Sequence, residues 1–338
     1  MSTQNDLPPA IRLLATPAAY PHPASEIRHL QTHISHVFLA GDFVYKVKKP
    51  VNFGFLDFTS LDKRRYFCEQ EVLLNRRLCP DLYLGVVAIT DQHGVLSLDG
   101  SGEPVEYAVK MARMDEERMM AKVIARGELK RQTIDHIVEI LVPFYEKAEG
   151  GEAIRAFGTA QAVSVNVLEN FEQTLPFVGC EAISQAQFDA ISAYARDFLG
   201  KEEMFAQRLA AGRIRDCHGD LYSANICLDE PIHIYDCIEF NQRFRYCDVA
   251  SDVAFLAMDL DHHGLPELSD HFIERFCAAS RDHSLPDMLN FYKSYRAVVR
   301  GKIGLFTAHD PAVDPATKAS CLAQAKAYFQ LAERYATT

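Results

Sequence analysis

The chain contains no apolar run approaching the ~20 residues that a helix needs to span a bilayer. Its start, Met1-Ser-Thr-Gln-Asn-Asp6, shows no basic segment leading into an apolar one. Export and membrane insertion are therefore not expected, and a cytoplasmic location is. Excess positive charge is also missing: 35 Lys and Arg against 46 Asp and Glu give a formal net charge of -11. A field of that sign opposes non-specific binding to nucleic acid or to anionic membranes. Nine cysteines is an odd count, and without a secretory signal no disulfide framework is expected. Cys217, Cys227, Cys237 and Cys247 recur every ten residues, whereas structural zinc sites pair ligands ~2–4 residues apart. These thiols read as small buried apolar side chains instead. No Gly-x-x-x-x-Gly-Lys-Ser/Thr occurs, which excludes an ordinary P-loop enzyme, and no Gly-x-Gly-x-x-Gly lies between His33 and Lys46. Repeats and low-complexity tracts are absent too.

What is present is an ordinary globular composition, 48% hydrophobic and 24% charged over 338 residues, enough for one large domain or two moderate ones. Residues 1 to about 25 read as an irregular lead-in. From His33 to about Met114 the texture is strand-like. His36–Leu39 and Phe43–Lys48 form a predicted hairpin turning at Gly41-Asp42, and Pro50 ends its second strand. A helix is expected from about Ser60 to Leu78, with Ser60 and Asp62 as candidate caps. Strands follow at 83–89, 95–98 and 105–111, the last with Val105, Tyr107, Val109 and Met111 on one face. Beyond Met114 the pattern is helical. One helix carries Ile134, Ile137, Val138, Leu141 and Tyr145, with a kink expected at Pro143. Others run at 184–199, 249–260, 266–279, 286–306 and 315–335, three of the last four opening on proline. Short strands at 214–217, 226–228 and 232–235 interrupt them. The fold class is α+β: a small β-rich lobe, residues 1–112, and a larger, mainly helical lobe, residues 113–338.

The densest chemistry lies in Cys217-His-Gly-Asp-Leu-Tyr-Ser-Ala-Asn-Ile226 and the following Tyr235-Asp-Cys-Ile-Glu-Phe240. Asp220, Asn225 and Asp236 fall in short turns between short strands, where side chains are held rigidly at a surface. Phosphoryl transfer requires a carboxylate to orient the attacking hydroxyl, oxygen ligands for Mg²⁺ and positive charge on the phosphates. Asp and Asn suit that hard ion where Cys and His do not. His-Gly-Asp-x-x-x-x-Asn, followed by an apolar strand and an Asp, resembles the catalytic and metal-binding motifs of the aminoglycoside phosphotransferase/choline kinase group, which has the protein-kinase-like fold. The flanking Thr32-His-Ile-Ser35, Asp236-Cys-Ile-Glu-Phe-Asn241 and Tyr246-Cys-Asp-Val-Ala-Ser-Asp252 look most like a bacterial branch of it. The likeness covers roughly residues 30–305.

That resemblance implies a bilobal protein-kinase-like fold and γ-phosphate transfer from Mg-ATP, or GTP, to a hydroxyl of a small molecule. It makes Asp220 the residue that accepts or orients the hydroxyl proton, His218 a brace of the loop, and Asn225 and Asp236 Mg²⁺ ligands. Glu239 is a further candidate for the metal, against a simple ion pair. Gly219 stands where regulated protein kinases carry Arg, and no Ala-Pro-Glu follows, which points away from activation-loop control. Asp248 reads as the N-cap of the 249–260 helix.

The small lobe must supply a phosphate-binding lysine, and Lys46, Lys48 and Lys49 compete. A lysine and the residue two before it share one side of a strand. Val44 is an apolar companion for Lys46 that suits an adenine, whereas Lys48 has Lys46 there. Phe67, Glu71, Leu74 and Leu78 form one helical stripe, so Glu71 faces inward, where a carboxylate is costly unless paired; Lys46 is its expected partner. Ser35 and nearby backbone are left to cover the phosphates. The expected partners are thus a nucleotide and a small hydroxylated acceptor. A pseudokinase or regulatory module without turnover, and a kinase with a protein acceptor, remain as alternatives. The aromatic and basic set on the 286–306 helix, Tyr292, Tyr295, Arg296 and Arg300, suits a sugar or an anionic metabolite.

Overall fold

The computed structural model describes residues 7–338, so the first six residues of the lead-in lie outside the described residues. The chain forms two compact units. The first takes residues up to Met119 together with Cys227–Gln242, and the second takes Met120–Ile226 and Arg243–Thr338.

The first unit is built on a six-stranded antiparallel sheet: β1 (Ile27–Gln31), β2 (Ser35–Ala40), β3 (Phe43–Lys48), β4 (Tyr83–Gln92), β5 (Val95–Leu98) and β6 (Glu103–Ala112), in the order β1-β2-β3-β6-β4-β5. The β2–β3 hairpin turns at Gly41, whose φ of +59° suits glycine, and a Cβ there would meet the Pro23 carbonyl oxygen at 2.4 Å. Strand alternation then sorts side chains onto two faces. Phe38, Ala40, Tyr45, Val47, Ile89 and Ala108 pack on one, with Ile11, Leu14 and Tyr20. Val109 and Met111 pack on the other, with Cys68 and Val72 of the Leu61–Asn75 helix and with Leu82 and Tyr83.

Among its described residues the lead-in is therefore not wholly irregular. Pro9–Leu14 is a short helix opened by proline at its first turn, and its Ile11 and Leu14 seal one face of the sheet. The strand-rich region also begins earlier than expected, at Ile27. The Leu61–Asn75 helix starts where Ser60 accepts the Lys63 N–H at 3.2 Å. Arg64 on that helix grips Glu106 through Nε at 2.9 Å to both carboxylate oxygens.

The second unit is mainly helical. Its centre is the Val249–His262 helix, buried from Val249 through Leu260 and capped by Asp248, which accepts the Ala250 N–H at 2.9 Å. Helices Arg131–Lys147, Pro266–Ser280, Leu285–His309 and Pro315–Thr337 accompany it. Pro143 sits inside a helix that runs on to Lys147 rather than ending or breaking there. Further helices at Ala160–Thr174, Gln185–Leu199 and Glu202–Ala210 complete the unit. A two-stranded antiparallel ribbon pairs Ile214–Asp216 with Tyr246–Asp248. The nine cysteines are unpaired as disulfides, with Cys217, Cys227 and Cys237 buried. Among the described residues no helix is long and apolar enough to cross a membrane.

Candidate active site

In the first unit, the face of β3 that carries Val44 also carries Lys46 and Lys48, which both reach the Leu61–Asn75 helix at Glu71. Glu71 is fully buried. Its Oε1 lies 3.0 Å from Lys46 Nζ and its Oε2 accepts from Lys48 Nζ at 2.6 Å. Lys46 also donates to Asp236 Oδ1 at 2.6 Å, and Lys48 donates to Glu239 Oε1. Two ammonium groups and three carboxylates thus share one network, with an excess of one negative charge. Burial alone would raise the Glu71 pKa, but Lys46 and Lys48 outweigh it and hold the carboxyl down at about 2. For Lys46, burial works against the charged form, and Asp236, Glu71 and Glu239 overcome it, leaving the pKa well above the usual value. Glu239 is shifted up, because burial is only partly offset by Lys48. Within the buried part of the network Lys46 and Lys48 face Glu71 and Glu239, two against two, and the third acid, Asp236, is the exposed one.

Asp236 adopts a left-handed backbone, φ +61°, unusual for a residue with a Cβ. Its N–H donates to the Tyr83 hydroxyl at 3.2 Å, and the next N–H, of Cys237, donates to Asn75 Oδ1 at 2.8 Å. Asn75 in turn donates to the Glu71 carbonyl at 2.8 Å. The turn bearing Asp236 is therefore tied to the same helix that carries Glu71. The Asp236 side chain stays 41% exposed, against 16% for Lys46 and 1% for Lys48.

In the second unit the 218–225 loop is held through its backbone. Asp252, from the buried Val249–His262 helix, accepts the His218 N–H at 2.7 Å and the Gly219 N–H at 2.9 Å, and the Tyr145 hydroxyl donates to it at 3.0 Å. Arg296 donates to the Gly219 carbonyl at 3.0 Å and to the Ser251 carbonyl at 3.2 Å. Gly219 has φ +88°, which a side chain such as Arg adopts only with strain. His218 is fully buried and its Nδ1 accepts the Asp220 N–H at 3.3 Å. Asn225 Nδ2 donates to both the carbonyl and Oδ2 of Asp220, each at 2.9 Å. Asp259 accepts the Ser223 N–H at 3.0 Å. Charge-assisted bonds of this kind are the stronger ones.

The structure thus brings Asp220, Asn225 and His218 together in the second unit, and Lys46, Glu71, Asp236 and Glu239 in the first. Val44 is half-buried beside the Val109 and Met111 cluster. Ser35 is fully buried at the start of β2, and its Oγ has no hydrogen-bond partner. Among the described residues there is no group of three or more His, Cys, Asp or Glu side chains arranged to hold a metal. Sequence reasoning overlooked Lys48 as a second buried partner of Glu71. It also overlooked Asp252 and Arg296 as backbone anchors of the loop. The Asp248/Asp252 spacing placed both on one helix start, but only Asp248 caps it.

The fold is the protein-kinase-like fold used by small-molecule kinases and phosphotransferases. A choline/ethanolamine kinase family protein from Mesorhizobium loti superposes with a TM-score of 0.52 at 14% identity, over 97% of each chain. An amicoumacin kinase bound to AMP-PNP, Ca²⁺ and its antibiotic gives 0.52 at 12% identity, over 94% of this chain and 91% of that one. In sequence, uncharacterised proteins of Mycobacterium tuberculosis H37Rv and Mycobacterium bovis are 35% identical over 275 residues, 81% of this chain and 53% of theirs. The chain spans about half the length of these curated relatives. No family model matches it.

Proposed function

We propose that the protein transfers the γ-phosphate of a Mg-bound nucleotide, ATP or GTP, to a hydroxyl group of a small molecule. The observation that carries this reading is the Lys46 ammonium held between Glu71 and Asp236, in a chain with a phosphotransferase fold. A lysine fixed by a helix carboxylate is poised to meet phosphate oxygens, and Asp236 offers an exposed carboxylate next to it.

In this reading Asp220 receives the acceptor hydroxyl, with Asn225 fixing the carboxylate through Oδ2. The acceptor oxygen forms its bond to the γ-phosphorus as the bond from that phosphorus to the β,γ-bridging oxygen breaks. The nucleoside diphosphate leaves with that bonding pair, and the hydroxyl proton passes to Asp220. The oxygens of Asn225 and Asp236 are hard donors that suit magnesium, since Asn225 spends its amide N–H on Asp220 and keeps its carbonyl end for a cation. When bound, magnesium would neutralise phosphate charge. Glu239 we assign to the lysine network rather than to the metal, because Lys48 occupies its carboxylate and it is buried.

The test measures melting temperature with Mg-ATP and Mg-GTP, and transfer of labelled γ-phosphate to a panel of hydroxylated metabolites. Magnesium-dependent stabilisation with transfer is expected. Stabilisation without hydrolysis or transfer would instead describe a nucleotide-binding module. Asp236→Ala should abolish magnesium-dependent nucleotide binding, and undiminished binding in that variant moves the metal role elsewhere.

A further inference from the structure

The Leu285–His309 helix carries Arg296 and Arg300 one turn apart, the first against Gly219 and the second against Tyr222 of the 218–225 loop. Arg296 is committed to structure. It is 5% exposed, hydrogen-bonded to the Gly219 and Ser251 carbonyls, and stacked 4.8 Å from the Phe255 ring centre. Tyr292 of the same helix is buried as well. Arg300 differs. It is only partly buried, its guanidinium carbon lies 4.6 Å from the Tyr222 ring centre and 5.8 Å from that of Tyr328, and its Nε makes no hydrogen bond. No carboxylate forms an ion pair with it among the described residues. Asp259, on the neighbouring helix, is already engaged by the Ser223 N–H.

Tyr222 is two residues from Asp220, and the Asp220 carboxylate adds to the field that keeps Arg300 charged against burial, after Tyr222 and Tyr328. The second unit thus holds a cation with no carboxylate ion pair, packed on two aromatic rings and hydrogen-bonded to Tyr328, within the field of the carboxylate assigned to the acceptor hydroxyl. A positively charged acceptor group brought against that guanidinium would be repelled, the more strongly because the site is partly desolvated. An anionic group would gain a comparable attraction and bidentate hydrogen bonding. The overall charge of -11 points the other way. At physiological salt, however, exposed charges farther than about 8 Å are largely screened, so the local cation decides.

We infer that Arg300 selects the acceptor, which carries a carboxylate or phosphate group that docks on the Arg300 guanidinium while its hydroxyl meets Asp220. This rests on the assignment of Asp220 made above. Cationic amines are thereby disfavoured as acceptors, and hydroxy acids or sugar phosphates favoured.

The experiment measures the melting temperature of the full chain with D-glycerate, inorganic phosphate, glycerol or ethanolamine, each at about 10 mM and at fixed ionic strength. Each is run with and without saturating Mg-AMP-PNP. D-glycerate, phosphate or both should stabilise the wild type with Mg-AMP-PNP present, while glycerol and ethanolamine do not. A response to D-glycerate alone identifies a carboxylate, and a response to phosphate alone a phosphorylated acceptor. Arg300→Gln should weaken the anion response by about tenfold in apparent affinity, and Arg300→Lys, which keeps the charge, should retain part of it. A merely structural Arg300 would not change the preference for anion over glycerol. The inference is overturned if no anion outperforms glycerol on the wild type, if Arg300→Gln responds fully, or if Mg-AMP-PNP abolishes the response by occupying the same place. Loss of the Mg-AMP-PNP stabilisation itself counts against the nucleotide reading alone, since the anion response is also read without it.

Discussion

The two units fix their reactive groups by opposite means. In the first, Lys46, Lys48, Glu71, Asp236 and Glu239 are held by side chains of opposite charge. In the second, the 218–225 loop is held by carboxylates and an arginine that grip its backbone, through Asp252, Asp259 and Arg296. An ion-pair network can exchange partners, so in the proposed function Lys46 would turn from Asp236 to an incoming phosphate while Glu71 keeps its register. A backbone grip cannot be traded in this way. It fixes the frame of Asp220, whose carboxylate Asn225 also holds, for the role proposed for it. The difference teaches that one unit fixes its charged groups through partners that can be exchanged, and the other through backbone bonds that cannot.

The largest expected effect tests the backbone-held side. Asp220→Ala should lose about 10²–10⁴-fold in turnover with nucleotide affinity kept. Steady-state kinetics beside nucleotide titration check this, and near-normal turnover would sink the role given to Asp220. On the exchangeable side, Glu71→Ala removes the carboxylate that both ammonium groups share, leaves Lys46 to Asp236 and Lys48 to Glu239, and should cost about 1.5–3 kcal/mol in denaturant unfolding. A loss under about 1 kcal/mol would mean that Asp236 and Glu239 alone balance the lysines. Asp252→Asn removes a charge from two backbone bonds and should cost about 1.5–3 kcal/mol. It should lower kcat more than it raises the KM for nucleotide, and the reverse pattern would place Asp252 with the nucleotide instead.

The smallest effect is with pH. Glu71 is held down at about 2 from an ordinary 4.5, so its stabilisation is complete above 4.5 and is lost as the pH falls toward 2. The slope should not exceed about 1.4 kcal/mol per pH unit. Glu239, shifted the other way, destabilises the fold when ionised and gives some stability back as acid protonates it. Urea unfolding from pH 5 to 2.5 should therefore be steeper in Glu239→Gln than in the wild type. An identical slope in the two would remove Glu239 from the network's balance.

Much of the fold was legible because it is written in periods. The Gly41 turn, the alternation along β6 and the proline-led helices after residue 249 all emerged close to their predicted limits. The Pro9–Leu14 helix was not legible: six residues are too short for a helical period, and only the sheet it covers stabilises it. Pro143 does not interrupt its helix, since tertiary burial of Ile134 through Tyr145 keeps it continuous despite the lost hydrogen bond. At the candidate site, the inward-facing Glu71 could be read from its stripe, but the burial of Lys48 could not. Its second acid, Glu239, lies 191 residues away, and no local pattern carries that pairing. Asp252 gave no sign either, because a carboxylate gripping a distant backbone looks in sequence like any helix-start acid.

The first unit is discontinuous in the chain, and this bears on how it forms during synthesis. Strand β3 and Glu71 emerge early, with two lysines facing one carboxylate, while Asp236 and Glu239 arrive only after the chain has gone on to begin the second unit. Until residues 227–242 leave the ribosome, the nascent sheet holds an uncompensated positive charge in its interior, and contacts of that sequence separation are slow to close. Completion of the first unit therefore waits on the 218–225 loop having already been translated, so a chain stalled before Cys227 presents no finished lysine network.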